Sequence, residues 1–295
     1  MQIHKHKAPK ILMTVLLVGT VFNNFAESAT QRVVSGLHNP DSVAVGAAGT
    51  VYITEKGDVG KKGDGKISYI DAKHHLRTYV EGLDDPQGIV RWKRKLFVAD
   101  RNRILRIDGN APRPIVVARP LQFPELPTAL TTMTLDSRGN LYVADMGDVK
   151  KTGKGAIYRV NSKNKVSLVT NEFMTPELKN PGAIMFERPG KLLVADFITG
   201  NLFRLDTTSK QVEKLASGFV GAYGLARGAF GTLYISTLND GRVWKWDPGK
   251  PDVSPVQYTE SFQSAGGINL SKTRKYILVP DAKAGTLTYL YKRTS

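Results

Sequence analysis

Apolar and polar positions alternate along this chain in short runs, and the runs follow one order that repeats six times. Each copy opens on a Gly/Pro-rich lead-in, passes through a short apolar segment and a turn, and ends on an aromatic-x-apolar-small-acid signature. The copies read NPDSVAVGAAGTVYITE, DPQGIVRWKRKLFVAD, ALTTMTLDSRGNLYVAD, NPGAIMFERPGKLLVAD, AYGLARGAFGTLYIST and SAGGINLSKTRKYILVPD. Their last residues, Glu55, Asp100, Asp145, Asp196, Thr237 and Asp281, are spaced by 45, 45, 51, 41 and 44 positions. Alternation with a period of two, as in KISYID and RILRID, predicts strands and not helices. A repeat in the forties built from short strands predicts a β-propeller with one four-stranded blade per repeat.

Four strands are expected in each blade, A to D from the axis outward. In the first blade they are residues 42–45, 51–54, 66–70 and 76–80. C strands recur as AIYRVN, NLFRLD, RVWKWD and TLTYLY, and D strands as PIVVA, VSLVT, VEKLA and PVQYT. The last repeat has A, B and C but no D. Near the other end, QRVVSGL reads like RTYVEGL of the first D strand, so residues 31–35 are expected to join the final blade. Closing the circle in this way removes exposed strand edges. The fold class is therefore all-β: a six-bladed β-propeller of four-stranded blades, closed by its N-terminal strand, as one domain over residues 29–295.

Residues 1–28 read as a cleaved signal peptide. Lys5, Lys7 and Lys10 precede a short apolar run at 11–22, and Ala26-Glu27-Ser28 supplies small residues two apart. The run is shorter than the roughly 20 residues a bilayer span needs, and no later stretch is long or apolar enough. The chain has no Cys, which excludes disulfides, thiolate chemistry and Cys-based metal sites. Export without disulfides suits a bacterial periplasm or the medium. Removing the leader takes three Lys and one Glu from 42 basic and 26 acidic residues, leaving a formal charge of +14. That balance points to an anionic small molecule, polymer or cell-surface component as partner, with a protein partner as a further reading.

The pieces LFVADRNRILRID and LYVADMGD resemble NHL-type propeller repeats, and the layout as a whole resembles the senescence-marker-protein/gluconolactonase family. The resemblance covers the chain after the leader. It implies one divalent metal at the channel mouth, held by a Glu, Asn residues and an Asp at the starts of inner strands. Hard oxygen ligands let such a metal polarise a lactone carbonyl or activate water. This chain departs from that pattern. The Glu position reads Asp41, and the others read Leu130-Thr131-Thr132, Pro181-Gly182-Ala183 and Tyr223-Gly224-Leu225. The implied centre is degenerate, with Asp41 as its one remaining candidate ligand for Ca, Mg, Mn or Zn.

Residues expected at the mouth are Asp41, Gln87, Thr131, Thr132 and Tyr223, ringed by Lys61, Lys62, Lys150, Lys151 and Lys154 on two like loops, 57–65 and 147–155. Those loops lack the Gly-x4-Gly-Lys-Ser/Thr spacing of a phosphate-binding loop. The opposite face is basic as well, at Lys93, Arg94, Lys95, Lys191, Lys272, Arg274 and Lys275. Aromatics interleaved with these cations are scarce, which disfavours a specific nucleic acid. His38, three residues from Asp41, reads as a turn residue in preference to a general base, and no motif nominates a nucleophile. The recurring strand-end acids read as structural, holding turn N–H groups. The expected function is ligand or partner binding by an exported propeller; the alternative is a metal-dependent sugar-lactone or ester hydrolase.

Overall fold

The computed structural model describes residues 31–292, apart from 59, 72, 110, 152, 260 and 261. The expected leader, residues 1–28, lies outside the described residues. Six antiparallel sheets of four strands follow one another along the chain. In blade one the strands are A, Pro40–Val45; B, Val51–Glu55; C, Gly65–Ile70; and D, Leu76–Leu83. The A strands of blades two to six, Pro86–Trp92, Leu130–Leu135, Pro181–Arg188, Ala222–Arg227 and Asn269–Leu270, each pack against their neighbours and ring the axis.

Local chemistry sets the strand ends. Asp71, Asp136, Asn161 and Asp206 each accept two N–H bonds from the turn that follows, so the hairpins reverse without solvent having to satisfy their amides. Between turns, β-branched and aromatic residues alternate inward and outward. The buried apolar residues fall into six clusters, one at each junction between adjacent blades. No single central core exists among the described residues, and the axis is left as a channel.

Strand-end acids clamp five of the six blades. The N–H groups of Asp84 and Asp85 donate to Asp100 Oδ1 at 3.0 and 2.8 Å. Those of Thr128, Ala129 and Gly147 donate to Asp145 at 2.8–3.0 Å. Asp196 takes Asn180, Ile198 and Thr199, and Asp281 takes Gln263, Ser264 and Ala284. Glu55 accepts from the His38 N–H and the Ser68 hydroxyl. In every case the acid at the end of B holds the lead-in to A of the same blade. Burial pushes the Asp145 carboxyl up, and its three N–H donors pull it back. Blade five carries Thr237 in place of the acid, and backbone bonds from Gly221 and Ala222 fix its lead-in.

The N-terminal strand, Arg32–Ser35, completes the sixth blade by pairing antiparallel with Thr286–Tyr291, in the register Arg32↔Tyr289 to Ser35↔Thr286. The Arg32 guanidinium lies 4.9 Å from the centre of the Tyr289 ring, and its Nη1 is 2.6 Å from His74 Nδ1 in blade one. The seam between first and last blades has the same apolar filling as the other junctions, with Leu37, Val43, Ile53, Leu278 and Leu287 buried there.

Two outcomes follow from this construction. Deleting residues 31–35 strips the closing strand and exposes an edge; a thermal melt should fall by more than about 5 °C. A deletion variant melting with its parent would refute the closure. Asp196→Ala leaves the buried Asn180 N–H without an acceptor and should cost about 3 kcal/mol in denaturant unfolding.

Candidate functional site

Every inner strand of blades one to five carries a bulge one residue past its start. Pro40 pairs with Glu55 but Val43 with Ile53, and the same slip occurs at Pro86/Ile89, Leu130/Met133, Pro181/Ala183 and Ala222/Gly224. An extra residue re-aims the side chain it carries. The bulged positions are Asp41, Gln87, Thr131, Gly182 and Tyr223. The clamp thus delivers one residue from each of these five blades to the axis.

Three of these side chains meet. The Tyr223 hydroxyl lies 2.9 Å from Gln87 Oε1 and 3.1 Å from Asp41 Oδ2. Tyr223 reaches Asp41 from two blades away, past the glycines of blade six. Lys56 joins them from the residue after the strand-end acid, with Nζ 2.9 Å from Asp41 Oδ2. Ser42 Oγ donates to Asp41 Oδ1 at 2.9 Å, and Gln87 Nε2 donates to Asp85 at 3.4 Å. Asp41 and Tyr223 are fully buried, while the Lys56 side chain keeps 23% of its surface exposed.

Electrostatics fix the protonation of this seal. Burial works against the Lys56 charge, but the Asp41 charge and hydrogen bond, with Asp85 beyond, leave the ammonium above the usual lysine range. Burial, then the Asp41 charge, push the Tyr223 phenol well above its usual range. Burial also raises the Asp85 carboxyl, against the pull of Lys56. Tyr223 therefore remains a hydroxyl with one proton to share between Asp41 and Gln87. A protonated lysine and a protonated phenol are neither nucleophile nor base. The arrangement is an ion pair that seals the axis.

The donor set does not fit a divalent cation. Such an ion takes several oxygen ligands, six to eight for Ca²⁺. Here one Asp41 oxygen is on an ammonium and the other on a hydroxyl. Gly182 offers no side chain, and Thr131 Oγ1 lies toward the carbonyls of Ala144 and Gly182 at 3.4 and 3.5 Å. Among the described residues, no three His, Asp or Glu side chains converge.

The remaining expected residues divide. Thr132 sits below the seal and ties blade three to blade four, donating to Gly182 O at 3.1 Å and accepting from Ile184 N–H at 3.0 Å. All five rim lysines are exposed. Lys61 lies 3.5 Å from Asp58 and 3.7 Å from Asp64, and the N–H groups of Lys150 and Lys151 donate to Asp148. Lys154 lines a separate pocket of about 240 Å³ with Glu125, Glu172 and Phe173. The rim is thus of mixed sign. The His38 ring pairs with Asp58 at 3.1 Å and not with Asp41.

Below the seal the axis opens into a channel of about 560 Å³. Its lining starts at Ser42, Gly88, Thr132, Ile184 and Gly224, one or two residues beyond the bulges, and at Gly267 of blade six, and continues to the A–B turns. The void therefore opens on the face opposite the rim lysines. Sequence reasoning passed over Lys56 and Asp85. The usable signal was the position after each strand-end acid, which is basic in blades one and two, at Lys56 and Arg101.

Removing one half of the ion pair strands the other. Asp41→Asn should destabilise by about 2 kcal/mol, a value reduced for the partial exposure of Lys56. Adding Lys56→Met should recover most of that loss, read by urea unfolding as a double-mutant cycle. Strictly additive losses would show that the two groups do not neutralise each other.

No protein-family model and no curated protein matches the chain. Among solved structures it is similar to the X-ray structure of a provisionally named gluconolactonase, with a TM-score of 0.67 and 15% sequence identity over 88% of this chain and 92% of that one. At that identity the likeness is one of fold: the chain is a six-bladed propeller of gluconolactonase-like architecture.

Proposed function

We propose that this protein is an exported binding propeller in which Lys56, not a metal ion, neutralises the acid at the head of the channel. The observation that carries the reading is the 2.9 Å contact between Lys56 Nζ and Asp41 Oδ2. With that centre satisfied from within the chain, recognition falls to the loops around it. Lys61, Lys62, Lys150, Lys151 and Lys154 are exposed on the two loops that project from the seal face, and the partner they suit is an anionic polymer or cell-surface component. The leader expected at residues 1–28 and the NHL-like repeats belong to this reading, which has the binding occur outside the cytoplasm.

The second reading is a metal-dependent sugar-lactone or ester hydrolase. The shape match to a protein named as a gluconolactonase favours it. The two separate on simple measurements. Gluconolactone turnover with Ca²⁺, Mg²⁺, Mn²⁺ or Zn²⁺ should stay at background. Metal-stimulated hydrolysis lost in Asp41→Ala would establish the hydrolase instead.

Binding to polygalacturonate should weaken steeply as salt rises, because the screening length shrinks to roughly 8 Å at physiological ionic strength. Exchanging the five rim lysines for Gln should weaken it at least about fivefold more than exchanging Lys93, Arg94, Lys95, Lys163 and Lys275, which sit at turns of the other face. Equal losses would mean that net charge alone drives association, and no binding at low salt would overturn the reading.

A further inference from the structure

The channel behind the seal has a chemistry of its own. Its charged lining residues are Arg227, Lys272 and Arg274, and no carboxylate lines it among the described residues. All three cations come from blades five and six, so they share one side. Arg274 Nη2 donates to the carbonyls of Arg227, at 2.5 Å, and Gly228, at 3.1 Å, which draws the turn of blade six onto that of blade five. Lys272 runs its stem alongside Gly49 of blade one. Neither the Lys272 ammonium nor the Arg227 guanidinium has a hydrogen bond or ion pair among the described residues. Glu187, whose carboxyl feels the Arg227 charge, is committed to Arg204 at 2.7 and 2.9 Å and to Arg188 at 3.4 Å. Lys292 nearby is pushed down by burial and then by the Arg274 charge. The positive field here is not cancelled by the chain.

The facing wall is mostly apolar in its side chains, with the Thr132 and Thr134 hydroxyls there accepting from the Ile184 and Phe186 N–H groups. Val45, Ile89, Val90, Met133 and Met185 line it, from blades one to four. Cations held together without a counter-charge repel, and low-dielectric walls strengthen their pull on an anion. Apolar surface on the other side favours a ligand with an apolar body, and about 560 Å³ is within the range of small-molecule sites.

We propose that this channel binds a small organic carboxylate with an apolar body, its charge among Arg227, Lys272 and Arg274 and its body against the Val90–Met133–Met185 wall. The lining begins at Ser42, Gly88 and Gly224, next in sequence to Asp41, Gln87 and Tyr223, whose cluster lies between this site and the rim lysines. The two sites act on opposite faces, and this one stands whether or not the rim binds a polymer.

Titration calorimetry on the intact chain tests it, with octanoate as probe. Acetate supplies the charge without the body, and octanamide the body without the charge. Octanoate should bind at least tenfold more tightly than either. Lys272→Glu should abolish binding, and Lys272→Met and Arg227→Met should each weaken it about tenfold. Lys272 is exposed and unpartnered, so its variants should keep the parent melting point and remain valid tests. The Gln set at the five rim lysines should leave octanoate binding unchanged. Absence of octanoate binding at millimolar concentration would overturn the proposal. So would acetate binding as tightly as octanoate, octanoate binding indifferent to Lys272→Glu, or equal loss from the rim set.

Discussion

A buried carboxylate at the end of the second strand is the interaction on which five of the six blades are built. It gathers the N–H groups of the lead-in to the first strand, and the residue after it completes the closure. The N–H of Lys56, Arg101, Met146, Phe197, Leu238 and Ala282 donates to the carbonyl before the first strand, of Asn39, Asp85, Ala129, Asn180, Gly221 and Ser264 respectively, at 2.8–3.2 Å. With the lead-in pinned at one end and the strand in register further on, the extra residue between them has to bulge. The axis-facing side chains are therefore a by-product of the clamp. Blade five shows that the geometry outlasts the carboxylate, because Thr237 stands there and the six-fold backbone bond persists.

The repeat, the strand order and the closing strand were legible in the residues. A strand of period two with a fixed terminal acid is a local pattern, and a propeller is a sum of local patterns. The structural role of the acids followed from their recurrence. The seal was not legible in the same way. Tyr223 was seen as a departure from a ligand position, but its partners are 136 and 182 residues away in sequence. Lys56 sits in a loop rich in charge, where nothing marks one lysine as inward. The direction of the open channel was also hidden, since it depends on which end the bulged side chains fill.

Sealing the axis with a side chain differs from sealing it with an ion. A divalent cation brings two charges and asks for a shell of oxygens, whereas an ammonium brings one charge and three donors. The bulged positions Asp41, Gln87, Thr131, Gly182 and Tyr223 supply few oxygens and one large ring, and they match the smaller demand. The closure then owes nothing to the solution around it. It also divides the axis into two chemically unlike halves, a mixed-charge rim on one side and a cationic, half-apolar channel on the other.

The pairing of Arg32–Ser35 with Thr286–Tyr291 constrains the order in which the molecule is made. Arg32–Ser35 has no partner until Thr286–Tyr291 has been synthesised. Hairpins within blades are local and form early, but the seam is among the most distant pairings in the chain. Loop-closure entropy has to be met before that seam returns any energy, so the final docking step is slow compared with blade formation. Until it happens, both ends present open strand edges, and the interval between synthesis and closure is when the chain is most exposed to self-association.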